Sequence, residues 1–170
     1  MNKITITRVA GVLTLTLTAA LSACSTPGRL PPGTPIDAVR HGARSPSAEY
    51  ALPDGGTRLE FAQGGSFNRE TWMLDFDAKG TLVSSQQVLT EANFANITPG
   101  MPADDVRLRL GRPVQVFGAG WHEHIQVWNY RFAGGDCVWF QVSIRDADQK
   151  VREAGIGQDP ACDGPSKPRD

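Results

Sequence analysis

From residue 57 onward apolar and polar positions alternate in short runs. In "TRLEF" Leu59 and Phe61 share one face, and Arg58 and Glu60 take the other. "WMLDF" groups Trp72, Leu74 and Phe76; "DAKG" (Asp77 to Gly80) is a turn; "TLVSSQQVL" returns. Later, "IQVWNYRF" aligns Trp128, Tyr130 and Phe132, and "VWFQVSI" aligns Val138, Phe140, Val142 and Ile144. "RDADQ" turns and "KVREAGI" returns. Period-two runs joined by turns predict strands in antiparallel meanders. Pairing Ile144 near Lys150 predicts Cys137 opposite about Gly157, with Cys162 able to fold back to it.

Two stretches break this alternation in a common way. "GTPIDAVRHGARSP" (33–46) and "GMPADDVRLRLGRP" (100–113) match at six of fourteen positions with no gap, at an offset of 67. Each position in the second block has a helical reason. Pro102 suits the first turn, Asp104 and Asp105 suit the positive end of the helix dipole, and Val106 and Leu110 share a face. Gly111 stops the helix and Pro113 prevents its continuation. The first block has Arg44 in place of Gly111 and Ala43 in place of Leu110, so its helix should be shorter or poorly capped. "TEANFANITPGM" predicts a short helix and a turn before the main helix. Trp72 falls on Trp139 at offset 67, but the pleat puts them on opposite kinds of face, so that match is accidental.

The pattern therefore predicts an α+β fold of two tandem units of about 65 residues. Each would be a short helical segment packed on an antiparallel β-meander. The expected boundaries are a signal peptide at 1–23, a tether at 24–32, a degenerate first unit at 33–89, a second unit at 90–157 and a loose tail at 158–170.

The ends of the chain carry the cell address. Lys3 and Arg8 precede an uncharged run from Val9 to Ala23, too short and Thr-rich for a membrane span but suited to a signal peptide. The run ends in "LSAC", Leu21 to Cys24, which resembles the bacterial lipobox. That resemblance implies cleavage before Cys24 and lipidation of that cysteine, with palmitate among the acyl groups. Ser25 in place of Asp, by resemblance to Gram-negative sorting, implies the outer membrane, with the protein facing the periplasm. "STPGRLPPGTP" reads as a tether.

Loss of residues 1–23 from the 170-residue chain leaves 147, and loss of Lys3 and Arg8 takes the formal charge from −1 to about −3. No basic stripe or motif points to nucleic acid. The three cysteines become an even pair once Cys24 is lipidated. An oxidising periplasm allows Cys137 and Cys162 to bridge, closing a loop of 25 residues worth roughly 3 kcal/mol. Two free thiols or a metal site are the alternatives, and the lack of a CxxC disfavours the metal.

Candidate chemistry is sparse. His122 and His124 in "WHEH" stand two apart and would share a strand face, but Gly118 and Gly120 predict a solvated loop, and His41 is far off in sequence. Asp75 and Asp77 form a carboxylate pair, but Asp77 opens a turn. No G-x-S-x-G, P-loop or G-x-G-x-x-G is present. The reading is non-enzymatic, with no cofactor, metal or catalytic residue. The better lead is the polar side of the sheets: Arg58, Glu60, Met73, Asp75, Trp139 and Gln141. An aromatic among polar residues suits partner binding; cover by the tether, a loop or the other unit is the alternative.

The pattern Ile97, Pro99, Gly100, Met101, Val106, Leu110, Gly111, Pro113, followed by Trp128 and Tyr130, resembles the SmpA/OmlA (BamE-like) lipoprotein domain over roughly 90–156. The tandem layout also resembles the architecture of the β-lactamase inhibitory protein. The first resemblance implies an interaction module in envelope assembly, with the β-barrel assembly machine as a possible partner. The second implies a periplasmic enzyme-inhibitor-like binding protein. An envelope enzyme using the histidine loop is a third reading.

Overall fold

The computed structural model describes residues 26–65, 68–121, 123–134 and 137–162. Cys24, Ser25, the expected signal peptide, His122 and the end of the expected tail lie outside the described residues. The first sheet contains β1 (Ala48–Ala51), β2 (Thr57–Gly64), β3 (Arg69–Phe76) and β4 (Leu82–Gln87). The second contains β5 (Gln115–Ala119), β6 (Ile125–Tyr130), β7 (Val138–Arg145) and β8 (Lys150–Gln158). Both are antiparallel with neighbours in chain order. Among the described residues three α-helices flank them: α1 (Ile36–Arg40), α2 (Glu91–Phe94) and α3 (Ala103–Leu110).

The α+β expectation is corrected. Of the described residues 43% lie in strands and 17% in helix, so the fold is mainly β and not a balanced α+β pair of BamE-like units. The reason is helix length. α1 has five residues, α2 four and α3 eight, one to two turns each. The prolines at 35 and 102 set two starts, and His41–Gly42 and Gly111 end the same helices almost at once. The eight strands carry the architecture.

Two apolar clusters form. The first gathers Leu59, Phe61, Leu74, Phe76 and Leu82 with Val39 of α1. The second gathers Trp128, Tyr130, Phe140, Val142, Ile144 and Val151 with Phe94, Val106 and Leu110. Val106 and Leu110, four apart on α3, have no exposed surface. Phe94 stacks on Phe140 with centroids 4.3 Å apart, and Thr90 caps α2 by accepting the Asn93 amide proton at 3.3 Å. Arg107 lies over the Trp128 ring, 4.3 Å from its centroid.

The expected tether is corrected in its described part. Pro27–Arg29 form a 3-10 turn with Pro27 buried. Ser85 Oγ donates to the Pro27 carbonyl at 3.1 Å, and the Gly33 amide donates to Leu82 O at 2.9 Å. Gly28 lies so close to Trp72 that a Cβ there would stand 2.2 Å from the ring. Trp72 therefore covers a segment whose composition suggested a loose linker.

Cys137 and Cys162 are disulfide-bonded, with Cα atoms 5.5 Å apart across 25 residues. Arg145 pairs with Lys150, and a bulge between Ser143 and Ile144 brings Trp139 opposite Gly157. That is two positions from the expected register, one arising at the turn and one at the bulge. Reduction should lower unfolding stability by about 3 kcal/mol on the chain-entropy estimate. Urea midpoints with and without reductant measure this; equal midpoints would show that the bridge constrains little.

Candidate functional site

Strand alternation places Arg58 and Glu60 on the outer face of the first sheet, beside Met73 and Asp75 of β3. That face is not open. The C-terminal end of α3 docks on it. Arg58 forms a two-pronged bond to Asp75 (2.6 and 2.7 Å) and donates to the Leu108 carbonyl at 2.5 Å. A cation thus meets the carbonyl end of a helix, the sign the helix dipole favours. Glu60 accepts the Tyr50 hydroxyl proton at 2.6 Å and the Arg112 amide proton at 3.2 Å. From the second sheet, Tyr130 donates its hydroxyl to Gly111 O at 3.1 Å. Burial pushes the Tyr130 phenol well above its ordinary pKa; burial and the Glu60 carboxylate do the same for Tyr50. Both phenols therefore stay protonated as donors. The Gly111–Arg112 peptide is held from both sheets.

This revises the expected partner face. Glu60 has no exposed surface and Met73 is 2% exposed, so they join the two halves of the chain and present nothing to a partner. Trp139 is 4% exposed and also buried. Arg131 lies over its ring at 5.6 Å, and Gln141 beside it donates to Asn129 at 2.9 Å. A polar cavity of about 160 Å³ remains at the margin of the first face, lined by Arg58, Asp75, Asn93, Asn96 and Arg109 among others.

The other candidates are dispersed. Asp75 is committed to Arg58, and Asp77 accepts the amides of Lys79 and Thr81 at 2.9 Å, as a turn residue does. His124 is exposed ahead of β6, and His41 ends α1. Among the described residues no cluster of three or more His, Cys, Asp or Glu could hold a metal. The family-motif residues serve the fold. Val106 and Leu110 fill the second core, Met101 packs against it, the Gly100 amide donates to Val151 O at 2.8 Å, Gly111 caps α3, and Pro113 precedes β5.

An ion pair that the sequence gave no reason to expect pins the C-terminal segment. Arg131 bonds Asp159, which is 1% exposed, at 2.5 and 3.0 Å. The Arg131 guanidinium holds the Asp159 carboxyl below the ordinary carboxylate range, against the opposing effect of burial. A carboxyl depressed on folding stabilises above its unfolded pKa and loses that contribution as pH falls through the folded value. Wild type should therefore lose stability more steeply than Asp159→Asn below about pH 4. Parallel curves in urea titrations across that range would remove the pair from the acid response.

The β5 edge groups exposed apolar side chains. β5 is an edge strand, and all five of its residues are exposed. Val116 is 50%, Phe117 39% and Trp121, at the following turn, 92% exposed. Val116 pairs with Trp128 and so extends the core face beyond its cover; Phe117 pairs with Val127 on the outer face. The other edges carry charge or partial cover, although Val83 on β4 and Ile156 on β8 are also exposed, at 57% and 55%. β1 carries Glu49, bonded by Arg40; β8 carries Lys150, Arg152 and Glu153; β4 begins under residues 33–34, which exchange hydrogen bonds with Leu82. Charge or cover on edges blocks unwanted strand addition. Residues 113–121, "PVQVFGAGW", carry no charge. That run was the available signal, and its glycines disguised it as a loop.

No family model matches the chain, and no curated protein and no solved structure matches it. Among the described residues no helix is long and apolar enough to cross a membrane.

Proposed function

We propose that this chain is a lipid-anchored periplasmic protein of the outer membrane whose β5 edge receives an extended segment of an envelope protein. The basic start, the apolar run and LSAC support the anchor on Cys24. The observation that carries the binding role is the uncharged edge strand with exposed Val116, Phe117 and Trp121. An unpaired edge offers main-chain hydrogen bonds, and flanking apolar side chains add selectivity. Trp is also a favoured anchor at such interfaces. The partner is a component that displays an unpaired strand, as outer-membrane proteins do during barrel assembly. The inhibitor-type alternative needs open sheet faces, and no observation favours it over the edge.

The docked N-terminal segment bears on the anchor. Only two residues separate Cys24 from buried Pro27, a reach of about 10 Å over three Cα–Cα steps. A lipid on Cys24 would hold the first sheet close to the bilayer. Cys24→Ala should release the protein from the membrane fraction.

Val116→Lys with Trp121→Ala should abolish co-purification of the partner while leaving the unfolding midpoint within about 0.5 kcal/mol of wild type, as exposed substitutions do. Undiminished capture by this variant would remove the edge from the function. Met73→Lys tests the competing face and is expected to disturb stability, because Met73 is buried.

A further inference from the structure

We propose that the apolar groove beside the N-terminal segment holds an acyl chain carried on Cys24 whenever the protein is off the membrane; this rests on the reading of Cys24 as the lipidation site. The groove is about 450 Å³ and is lined by Pro27, Leu30, Ala38, Val39, Ala43 and Phe61, with Thr26 and Arg44 at its margin. Among the described residues no carboxylate lines it, and Arg44 is turned to Gln63 at 3.3 Å. Pro27 and Leu30 form one wall, and α1 forms another through Ala38 and Val39.

The occupant follows from covalent reach. Thr26 lines the groove and stands two residues after Cys24, so a chain on the Cys24 sulfur begins within about 10 Å of the groove margin. The described residues that follow, Thr26 to Gly28, are held in place. Pro27 is bonded by Ser85, and Gly28 is pressed on Trp72. A second apolar hollow, lined by Phe94, Ile97, Phe140 and Ile156, belongs to the second half of the chain, and no lipidation residue leads into it. Each methylene removed from water favours occupancy. A bilayer buries the whole chain and wins when present, so the groove serves the membrane-free protein.

The disulfide makes a clean test available. Cys137 and Cys162 are bonded, so Cys24 is the one free thiol of the three cysteines. The chain from Cys24 to Asp170 can therefore be alkylated at that site with palmitoyl maleimide. In detergent-free buffer the adduct should sediment as a monomer and show nuclear Overhauser contacts from the acyl methylenes to Leu30 and Val39. Ala38→Trp and Ala43→Trp each fill the groove from an exposed position. Whichever of them keeps the wild-type unfolding midpoint should lose those contacts, self-associate, and bind phosphatidylglycerol vesicles at about tenfold lower lipid. A wild-type adduct without the contacts, or filled variants that behave like wild type, overturns the groove. Mass measurement of the protein from outer membranes of an expressing Gram-negative cell separates the two readings. Unacylated Cys24 there overturns the anchor and the proposal with it; acylated Cys24 with no contacts in the adduct overturns the groove alone.

Discussion

Glu60→Ala is expected to lower the unfolding free energy by about 4 kcal/mol, a large loss for one residue on a strand. The side chain has no exposed surface, and alanine leaves the Tyr50 hydroxyl and the Arg112 amide without their acceptor. Each abandoned donor costs about 1–3 kcal/mol, and the cavity adds to it. The loss should reach both halves of the chain, because Arg112 follows α3 while Glu60 sits in β2. Tyr50→Phe alone should cost about 1 kcal/mol, and little more once Glu60 is already alanine. Urea unfolding of the four proteins of this cycle measures the coupling. A cost under about 1 kcal/mol for Glu60→Ala would mean that the two halves stand without this contact.

Gly111→Ala is expected to cost about as much, by a different route. Gly111 has φ 81° and ψ −164°, a region that only glycine occupies readily. A Cβ there would also stand 2.9 Å from Glu60 Cδ and 2.9 Å from Thr71 Cγ2. Backbone strain and overpacking each cost about 1–3 kcal/mol, giving about 4 together. Two other glycines separate the causes. Gly100 has φ 88° with nothing near its Cβ position, so Gly100→Ala should show strain alone, about 1–2 kcal/mol. Gly118 has open space and no positive φ, so Gly118→Ala should change stability by less than about 0.5 kcal/mol. If Gly111→Ala matches Gly100→Ala, the close approach to the first sheet is not felt.

These two residues show what a sequence of this kind discloses and what it hides. Gly111 is legible as a helix stop, because Pro113 and the Val106–Leu110 spacing frame it. Its contact with Glu60, fifty-one positions earlier, leaves no local trace. Alternation placed Glu60 and Met73 on the correct side of the sheet, away from Leu59 and Phe61. Periodicity names a face; it does not name what covers the face. The same holds for Trp139, whose cover includes Arg131, itself held by Asp159 near the chain end. The fold class went astray for a related reason. The blocks at 33–46 and 100–113 have sound start and stop signals, but those signals lie so close together that little helix forms between them. The N-terminal segment has a linker's composition, yet Trp72 offers a surface on which Gly28 fits.

The exposed β5 edge was hidden most completely. Gly118 and Gly120 made residues 113–121 look like a loop, although Val116 and Phe117 are strand formers. The absence of charge there gains meaning beside Glu49, Arg152 and Glu153 on the β1 and β8 edges and the cover over the start of β4. That comparison requires knowing which strands are edges.

The central claim is that the polar face of the first sheet is used within the chain, while β5 is the surface that meets a partner. Site-specific photo-crosslinking in intact cells tests it most directly, with the probe placed at Phe117 in one protein and at Met73 in another, both lipidated at Cys24. The account predicts a discrete crosslink to a second envelope protein from position 117, lost with Val116→Lys, and only intramolecular products from position 73. Intermolecular crosslinks from position 73, with none from position 117, would contradict it.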